Sequence, residues 1–166
     1  MSSKIATLES VAHRLQPLRA AGKTVVFTNG CFDLLHPGHI DLLYRTRALG
    51  DFLVLAINTD DSVRRLKGPK RPIFNECERA EMLAGLEMVD FVCLFSEDTP
   101  LQAILTIRPD VLVKGADWGL EGIVGRSEVE SWGGRVVALP LVEGKSTSGI
   151  VERVLIRYGD PGKANQ

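Results

Sequence analysis

The chain has 166 residues, 45% of them hydrophobic and 25% charged, a composition that fits one globular domain and excludes an intrinsically disordered polymer. With 20 basic residues against 21 acidic ones the net charge is −1, so no global basic field exists to hold nucleic acid, and any bound anion needs a local site. No apolar run approaches the roughly 20 residues of a membrane span, the start MSSKIATLES lacks a signal-peptide core, and three widely spaced cysteines (Cys31, Cys77, Cys93) suit reduced thiols, so a cytoplasmic location without a membrane partner is expected.

In chain order, Leu8, Val11, Leu15 and Leu18 recur at spacings of three and four and predict an amphipathic helix within residues 1–22, with Pro17 disturbing its last turn. TVVFT (24–28) is a short β-branched run, and Ile40, Leu43, Tyr44 and Ala48 then share one face of a helix. FLVLAIN (52–58) is the next strand, followed by TDDSVRRLKGPKRPIF, whose polar residues, glycine and prolines read as a loop. Asn75 and Glu78 stand at the spacing of a capping box and begin a helix that runs to about Met88. DFVCLF (90–95) is a third strand, after which Thr99 and Pro100 supply an N-cap and a first-turn proline for a short helix ending before Pro109. VLVK (111–114) and RVVAL (135–139) are strands, a closing helix covers about Ser148 to Tyr158 with Gly159 as its stop, and 160–166 reads as a flexible tail.

Strands separated by helices, most of them unbroken apolar runs, predict a five-stranded parallel sheet covered on both faces, a doubly wound, Rossmann-like α/β domain spanning 1–166. Ligands of such folds sit beyond the carboxyl ends of the strands, where strand order reverses. The segments that follow strands are TNGCFDLLHPGH, NTDDS, FSEDT, KGADWG and LVEGKSTS.

The first of them is the richest. Asn29 and Gly30 end a buried strand with little bulk, which lets backbone amides approach a ligand. Gly38 opens a helix whose unpaired amides and dipole attract phosphate. His36 precedes that first turn and His39 lies within it, so two imidazoles can donate to a phosphate chain and stabilise charge growing on it. A competing reading makes Cys31, His36 and His39 metal ligands, but no second cluster stands at zinc spacing, so no protein-bound metal is expected. Cys31 reads as a small packing residue, since no motif marks it as activated.

Arg64, Arg65, Lys67, Lys70 and Arg71 place five cations within eight residues. Lys67 and Arg71, in or beside the glycine- and proline-rich KGPKRP, are the candidates for phosphate contact, and the others for a solvated face. Lys114, Gly115 and Asp117 follow the fourth strand directly, where a carboxylate suits the vicinal hydroxyls of a sugar. Trp118 has two readings, a stacking platform or a hydrophobic lid. Ser146, Thr147 and Ser148 offer hydroxyls and free amides at the start of the last helix, with at least one of them serving as an ordinary cap.

GCFDLLHPGH resembles the signature of the nucleotidyltransferases of the cytidylyltransferase-like superfamily, whose two-histidine motif is shared with class I aminoacyl-tRNA synthetases. NTDDSVRRLKGPKRPI, EDTP, RPDVLVKGADW, SEVESWGG and EGKSTSGIV resemble, in the same order, the heptose 1-phosphate adenylyltransferases within it, so the likeness runs from about Thr24 to Tyr158. That resemblance implies a Rossmann-like nucleotidyltransferase fold. It also implies a reaction in which a sugar 1-phosphate oxygen attacks the α-phosphorus of ATP, pyrophosphate leaves, and an ADP-sugar forms for lipopolysaccharide.

The same resemblance makes His36 and His39 catalytic, and Lys67 and Arg71, the phosphate contacts chosen from the loop, are expected to act with them. It assigns Asn29, Gly30, Cys31, Phe32, Gly38, Lys114, Gly115, Asp117, Ser146, Thr147 and Ser148 to the nucleotide, and Asp33, Asn58, Asp60 and Arg79 to the sugar phosphate. Arg79 has a second reading, an ion pair with Glu76 or Glu81. Mg2+ would travel with ATP, the partners would be ATP and a sugar 1-phosphate, and a homodimer is the default assembly. Cytidylyltransferases for glycerol 3-phosphate carry an arginine in an RTEGISTT-like run where this chain has Leu141, Val142, Glu143, Gly144 and Lys145. KGADW, in place of the KGGDY of the heptose enzymes, departs in the other direction. The alternative is therefore a CTP-using, glycerol-3-phosphate-type cytidylyltransferase, with a catalytically silent nucleotide-binding module as the rival outside enzymes. No segment resembles a sugar kinase, so the stand-alone form is expected.

Overall fold

A computed structural model of the chain describes residues 2–115 and 122–159; Asp117, Trp118 and the expected tail 160–166 lie outside the described residues. The elements are α1 (Leu8–Ala20), β1 (Val25–Gly30), α2 (Pro37–Arg47), β2 (Phe52–Asn58), α3 (Asp60–Lys67), α4 (Glu76–Ala84), β3 (Phe91–Phe95), α5 (Leu101–Ile107), β4 (Val111–Gly115), α6 (Arg126–Ser131), β5 (Arg135–Leu139) and α7 (Thr147–Tyr158). The strands form one sheet in the order β3-β2-β1-β4-β5, every neighbouring pair parallel. The expected doubly wound α/β sheet is present.

The unbroken apolar strands follow from this arrangement, because successive residues enter two different cores. Val25 and Phe27 pack with Val11 and Leu15 of α1, Ile104 and Ile107 of α5 and Val129 of α6. Val26 packs with Leu43 of α2 and Leu83 of α4 on the other face. The β3 edge is covered by the N-terminal segment, where Val92 N–H donates to the Lys4 carbonyl and Ala6 N–H to the Val92 carbonyl.

Several local expectations change. The segment 59–74, expected as a loop, contains α3: the Thr59 side chain accepts from Ser62 N–H, Asp60 and Asp61 fill the first turn, and Arg64, Arg65 and Lys67 fill the last. That charge order complements the helix dipole. α6 is a further unexpected helix, entered through Gly125 at φ +86°. α5 is capped at Pro100 without a side-chain bond, so Thr99 does not serve as its N-cap. α1 continues through Pro17 to Ala20, and Ala21 N–H still reaches the Pro17 carbonyl at 3.1 Å. The capping box of Asn75 and Glu78 is formed, but α4 ends at Ala84 instead of Met88. On α2 the buried positions are Gly38, Leu42, Leu43 and Thr46, while Tyr44 is 57% exposed. Seating Gly38 inward aligns 38, 42 and 46 one turn apart and rotates Tyr44 out.

The two ends of the sheet differ. At the amino end three aspartates stitch strand to strand: Asp51 accepts from Thr24 N–H at 2.8 Å, Asp90 from Leu53 N–H at 2.8 Å, and Asp110 from Val25 N–H at 2.7 Å. At the carboxyl end β1 stays paired with β2 as far as Gly30 and Ile57, but with β4 only at Val26–Val111 and Phe27–Leu112. Thr28 Oγ1 donates to the Val113 carbonyl at 2.9 Å, a side chain standing in for the ladder. Beyond it β1 and β4 separate where strand order reverses, which opens the crevice that doubly wound sheets use for ligands. No helix among the described residues is long and apolar enough to cross a membrane.

Candidate active site

The near bank of the crevice is the turn after β1. Phe32 adopts φ +46°, a left-handed conformation that costs a non-glycine residue on the order of 1 kcal/mol. Its ring folds back over Gly30, where an added Cβ would come within 3.0 Å of it. The same ring meets His39 at 5.0 Å, and His39 in turn stacks on His36 with centroids 3.7 Å apart and planes 20° from parallel. His36 occupies the N-cap of α2 with extended backbone and makes no side-chain capping bond.

Asn29 Oδ1, His36 Nδ1 and His39 Nδ1 are enclosed yet have no hydrogen-bond partner among the described residues; outside this turn only Arg45 Nε and Thr46 Oγ1 share that state. An enclosed polar atom without a partner is costly, so three within one strand-end turn mark a place built for something else to occupy. Burial and the neighbouring His36 push the His39 imidazole down to about 4, against a hydrogen bond with the Leu34 backbone that raises it. Burial and the Lys145 charge lower His36 as well. Both rings are therefore neutral near pH 7, each with one N–H to donate and no charge to repel its stacked partner.

The wall behind this turn is of another kind. Asp33, fully buried, accepts from Ile73 N–H at 2.7 Å and Phe74 N–H at 3.0 Å and pairs with Arg71 Nε. Arg79 is 0% exposed and donates to the Phe74 carbonyl (3.0 Å), the Cys31 carbonyl (2.7 Å) and Asp60 Oδ1 (2.8 Å). Asn58 donates to Ser62 Oγ at 3.0 Å and accepts from Cys31 Sγ at 3.8 Å. Asp33, Asn58, Asp60 and Arg79, expected to face the sugar phosphate, are instead bonded to the protein itself. Arg79 pairs with Asp60, not with Glu76 or Glu81. The physical reason is desolvation: Asp33, Asn58 and Arg79 are buried and must be satisfied by the groups around them, and Asp60, partly exposed, serves as the counter-ion of Arg79.

Two cations stay available on this side. Arg71 uses only Nε on Asp33, and its remaining guanidinium N–H groups have no partner among the described residues. Lys67, exposed at the end of α3, is close enough for its charge to act on the Cys31 thiol, whose pKa is nevertheless raised by burial. Arg64 pairs with Asp61 and Arg65 with Asp98 at the surface, in keeping with a solvated face. Lys70, Arg71 and Ile73 form one wall of a groove of about 510 Å3 whose other wall is Ser148, Val151, Glu152, Leu155 and Ile156 of α7.

Lys114 and Gly115 end β4 on the far bank, and Asp117 lies outside the described residues. At the start of α7, Ser146 accepts from Gly149 N–H at 3.1 Å and is the ordinary cap among the three hydroxyls; Thr147 and Ser148 make no capping bond. Lys145, absent from the residues expected in the site, precedes that cap and leans on the first turn of α2: a Cβ on Gly38 would meet the Lys145 Cβ at 3.1 Å. In the sequence it was marked by its place before the Ser146 cap and in the run where the cytidylyltransferases carry an arginine. Among the described residues no three His, Cys, Asp or Glu side chains gather as a group that could hold a metal ion.

Residues 27–149 match the family model described as cytidylyltransferase-like. A bifunctional protein HldE of Trichlorobacter lovleyi is 55% identical over 95% of this chain and 32% of its own length, and that of Syntrophotalea carbinolica is 57% identical over 94% of this chain and 32% of its own. The chain thus spans about a third of the curated relatives it matches. Among solved structures, a lipopolysaccharide core biosynthesis protein from Thermoplasma volcanium superposes with a TM-score of 0.61 at 31% identity, covering 75% of this chain and all of that one. A pantoate-beta-alanine ligase from Francisella tularensis, 16% identical, shares the fold with a TM-score of 0.58 over 87% of this chain and 68% of its own.

Proposed function

The chain belongs to the cytidylyltransferase-like family, and from that premise we propose that it is an adenylyltransferase that moves AMP from ATP onto D-glycero-β-D-manno-heptose 1-phosphate. The products are ADP-heptose, for the lipopolysaccharide core, and pyrophosphate. The observation that carries this reading is the stacked, neutral His36–His39 pair with enclosed, unpartnered Nδ1 atoms at the mouth of the crevice. The likeness to the heptose adenylyltransferases supplies the substrate.

In the proposed reaction an oxygen of the sugar phosphate attacks the α-phosphorus, and the bond to the oxygen bridging α- and β-phosphorus breaks, its electron pair leaving with pyrophosphate. A phosphate nucleophile is largely ionised near neutral pH, so no general base is needed, and catalysis reduces to positioning and charge stabilisation. His36 and His39 donate N–H bonds to the phosphate chain, and the α2 amides behind Gly38 add the positive end of the helix dipole. Lys67 and the free side of Arg71 draw in the acceptor phosphate. Asp33 and Arg79 hold the loop that carries Arg71. Lys114, Gly115, Thr147 and Ser148 line the nucleotide on the far bank. Mg2+ arriving with the triphosphate would supply charge neutralisation there. Among the described residues no three-ligand protein cluster stands ready, which fits an ion that phosphate oxygens and water would hold. We place the reaction in the cytoplasm, where the free thiols of Cys31, Cys77 and Cys93 stay reduced.

The test is pyrophosphate release with ATP or CTP against heptose 1-phosphate or glycerol 3-phosphate. Turnover with ATP and heptose 1-phosphate is expected. Turnover confined to CTP and glycerol 3-phosphate overturns the assignment.

A further inference from the structure

Gly38 is crowded from two sides. A Cβ at that position would lie 3.1 Å from His36 Nδ1 and 3.1 Å from the Lys145 Cβ. The first turn of α2 is therefore held between an imidazole of its own bank and a lysine arriving from the opposite bank of the crevice. Lys145 immediately precedes Ser146, whose hydroxyl caps α7, so its stem is fixed at both ends of the contact, by the cap and by α2.

The Lys145 ammonium is exposed and forms no ion pair among the described residues, whereas Arg64, Arg65, Arg71 and Arg79 each have a carboxylate. It faces His36 closely enough to disfavour a second positive charge there. The other groups around His36 offer it no counter-ion: His39 stacks on the ring, and Asp41, on the same wall, is bound to Arg45 at 2.6 Å. A cation and an enclosed imidazole nitrogen, neither with a partner among the described residues, thus flank the first turn of the 11-residue helix α2, and an anion is the ligand that satisfies all three.

We propose that Lys145 is a further catalytic residue, which grips the β- and γ-phosphates beside His36 and neutralises the pyrophosphate as it departs. This rests on the nucleotidyltransferase reading of the site. Lys145 stays an ammonium throughout. The electron pair of the breaking bond goes to the bridging oxygen of pyrophosphate, and the lysine balances the charge that collects there without giving up a proton.

The test begins with inorganic pyrophosphate alone, measured by calorimetry on the full chain and on Lys145→Met, Lys145→Arg and, as a control that removes a charge from an exposed position of α7, Arg153→Met. Lys145→Met is expected to weaken pyrophosphate binding about tenfold or more, while Lys145→Arg restores most of it and Arg153→Met leaves it unchanged. In turnover, Lys145→Met is expected to lower kcat about 10²-fold with a smaller change in KM for the sugar phosphate. In the ligand-free protein, the His36 imidazole signal of Lys145→Met should titrate at higher pH than in the parent, while in Lys145→Arg, which keeps the charge, it should stay close to the parent. Equal pyrophosphate binding by Lys145→Met and the parent overturns the proposal, as does an equal loss in Arg153→Met. If pyrophosphate binding depends on Lys145 but no nucleoside triphosphate is turned over with any sugar phosphate, the lysine keeps its role as a pyrophosphate ligand and the reaction reading falls instead.

Discussion

The turn after β1 and the wall behind it are both rich in polar side chains and separated by a few ångströms, yet they are opposites. Behind the turn, Arg79 spends its guanidinium on two carbonyls and Asp60, and Asp33 spends its carboxylate on two amides and Arg71. In the turn itself, His36 Nδ1, His39 Nδ1 and Asn29 Oδ1 have no hydrogen-bond partner among the described residues. A buried polar group satisfied by the protein is a structural element, whereas an enclosed one left open is a request for a ligand. The difference separates two sets of residues that a motif lumps together.

Arg79→Met should break the wall most severely. It leaves Asp60 without its partner and two carbonyls without donors, and removing one member of a buried ion pair costs about 3–5 kcal/mol. At this chain length that is a fall in thermal midpoint of roughly 6–20 °C. If Arg79→Met instead keeps its unfolding midpoint and loses only turnover, the residue belongs to the substrate and the division between the two regions fails.

The turn should respond the other way round. His36→Ala and His39→Ala are each expected to lower turnover about 10²–10³-fold, the scale of one lost donor to developing charge. The folded state loses no Nδ1 partner among the described residues in either variant, and His39→Ala, which also gives up the Leu34 backbone bond and the ring contacts with Phe32 and His36, is expected to be the less stable of the two. Steady-state kinetics alongside chemical denaturation checks both halves. A large loss of stability without a comparable loss of kcat would make the pair a packing feature.

How far the sequence carried this picture depended on whether a residue's partner lies near it in the chain. Asn75 and Glu78 are three apart, and their capping box was legible and is present. The strands were legible from their apolar runs, and His36 and His39 from their spacing. α3 was missed because a run of charges reads as a loop, although Thr59 as cap with acids first and bases last carries the helix signal. The protein partners of Arg79 were not legible for a deeper reason: it meets the Cys31 carbonyl across 48 residues and Asp60 across 19, distances over which spacing holds no information. Lys145 was hidden in the same way, since its contact with Gly38 exists only once β1 and α7 stand on facing banks.

Acid should distinguish the regions again. His39 titrates at about 4 in the folded chain and near 6.5 once unfolded. Between those values the unfolded state binds the extra proton, so folding stability falls as pH drops from about 6.5 towards 4 and is unaffected by this group above 7. The effect is at most about 3 kcal/mol. Denaturation midpoints measured from pH 7.5 to 4.5 should decline in the parent and decline less in His39→Ala. Parallel declines would mean that the ring is not held neutral by its surroundings.

The smallest effect is the most discriminating, because it sets stability against alignment at one atom. Gly38→Ala adds a methyl where His36 Nδ1 and Cε1 stand at 3.1 and 3.2 Å and the Lys145 Cβ at 3.1 Å, so both neighbours must yield by a few tenths of an ångström. Alanine in a first helical turn is favoured over glycine by up to about 1 kcal/mol, which offsets that crowding. The thermal midpoint is therefore expected to stay within a few degrees of the parent. The His36 ring has no bond to anchor it and turns first, tilting its N–H away from the phosphate, so kcat should fall about tenfold with folding intact. A midpoint that drops while kcat per folded molecule holds would show that Gly38 is required only for packing, and that the open nitrogen beside it tolerates displacement.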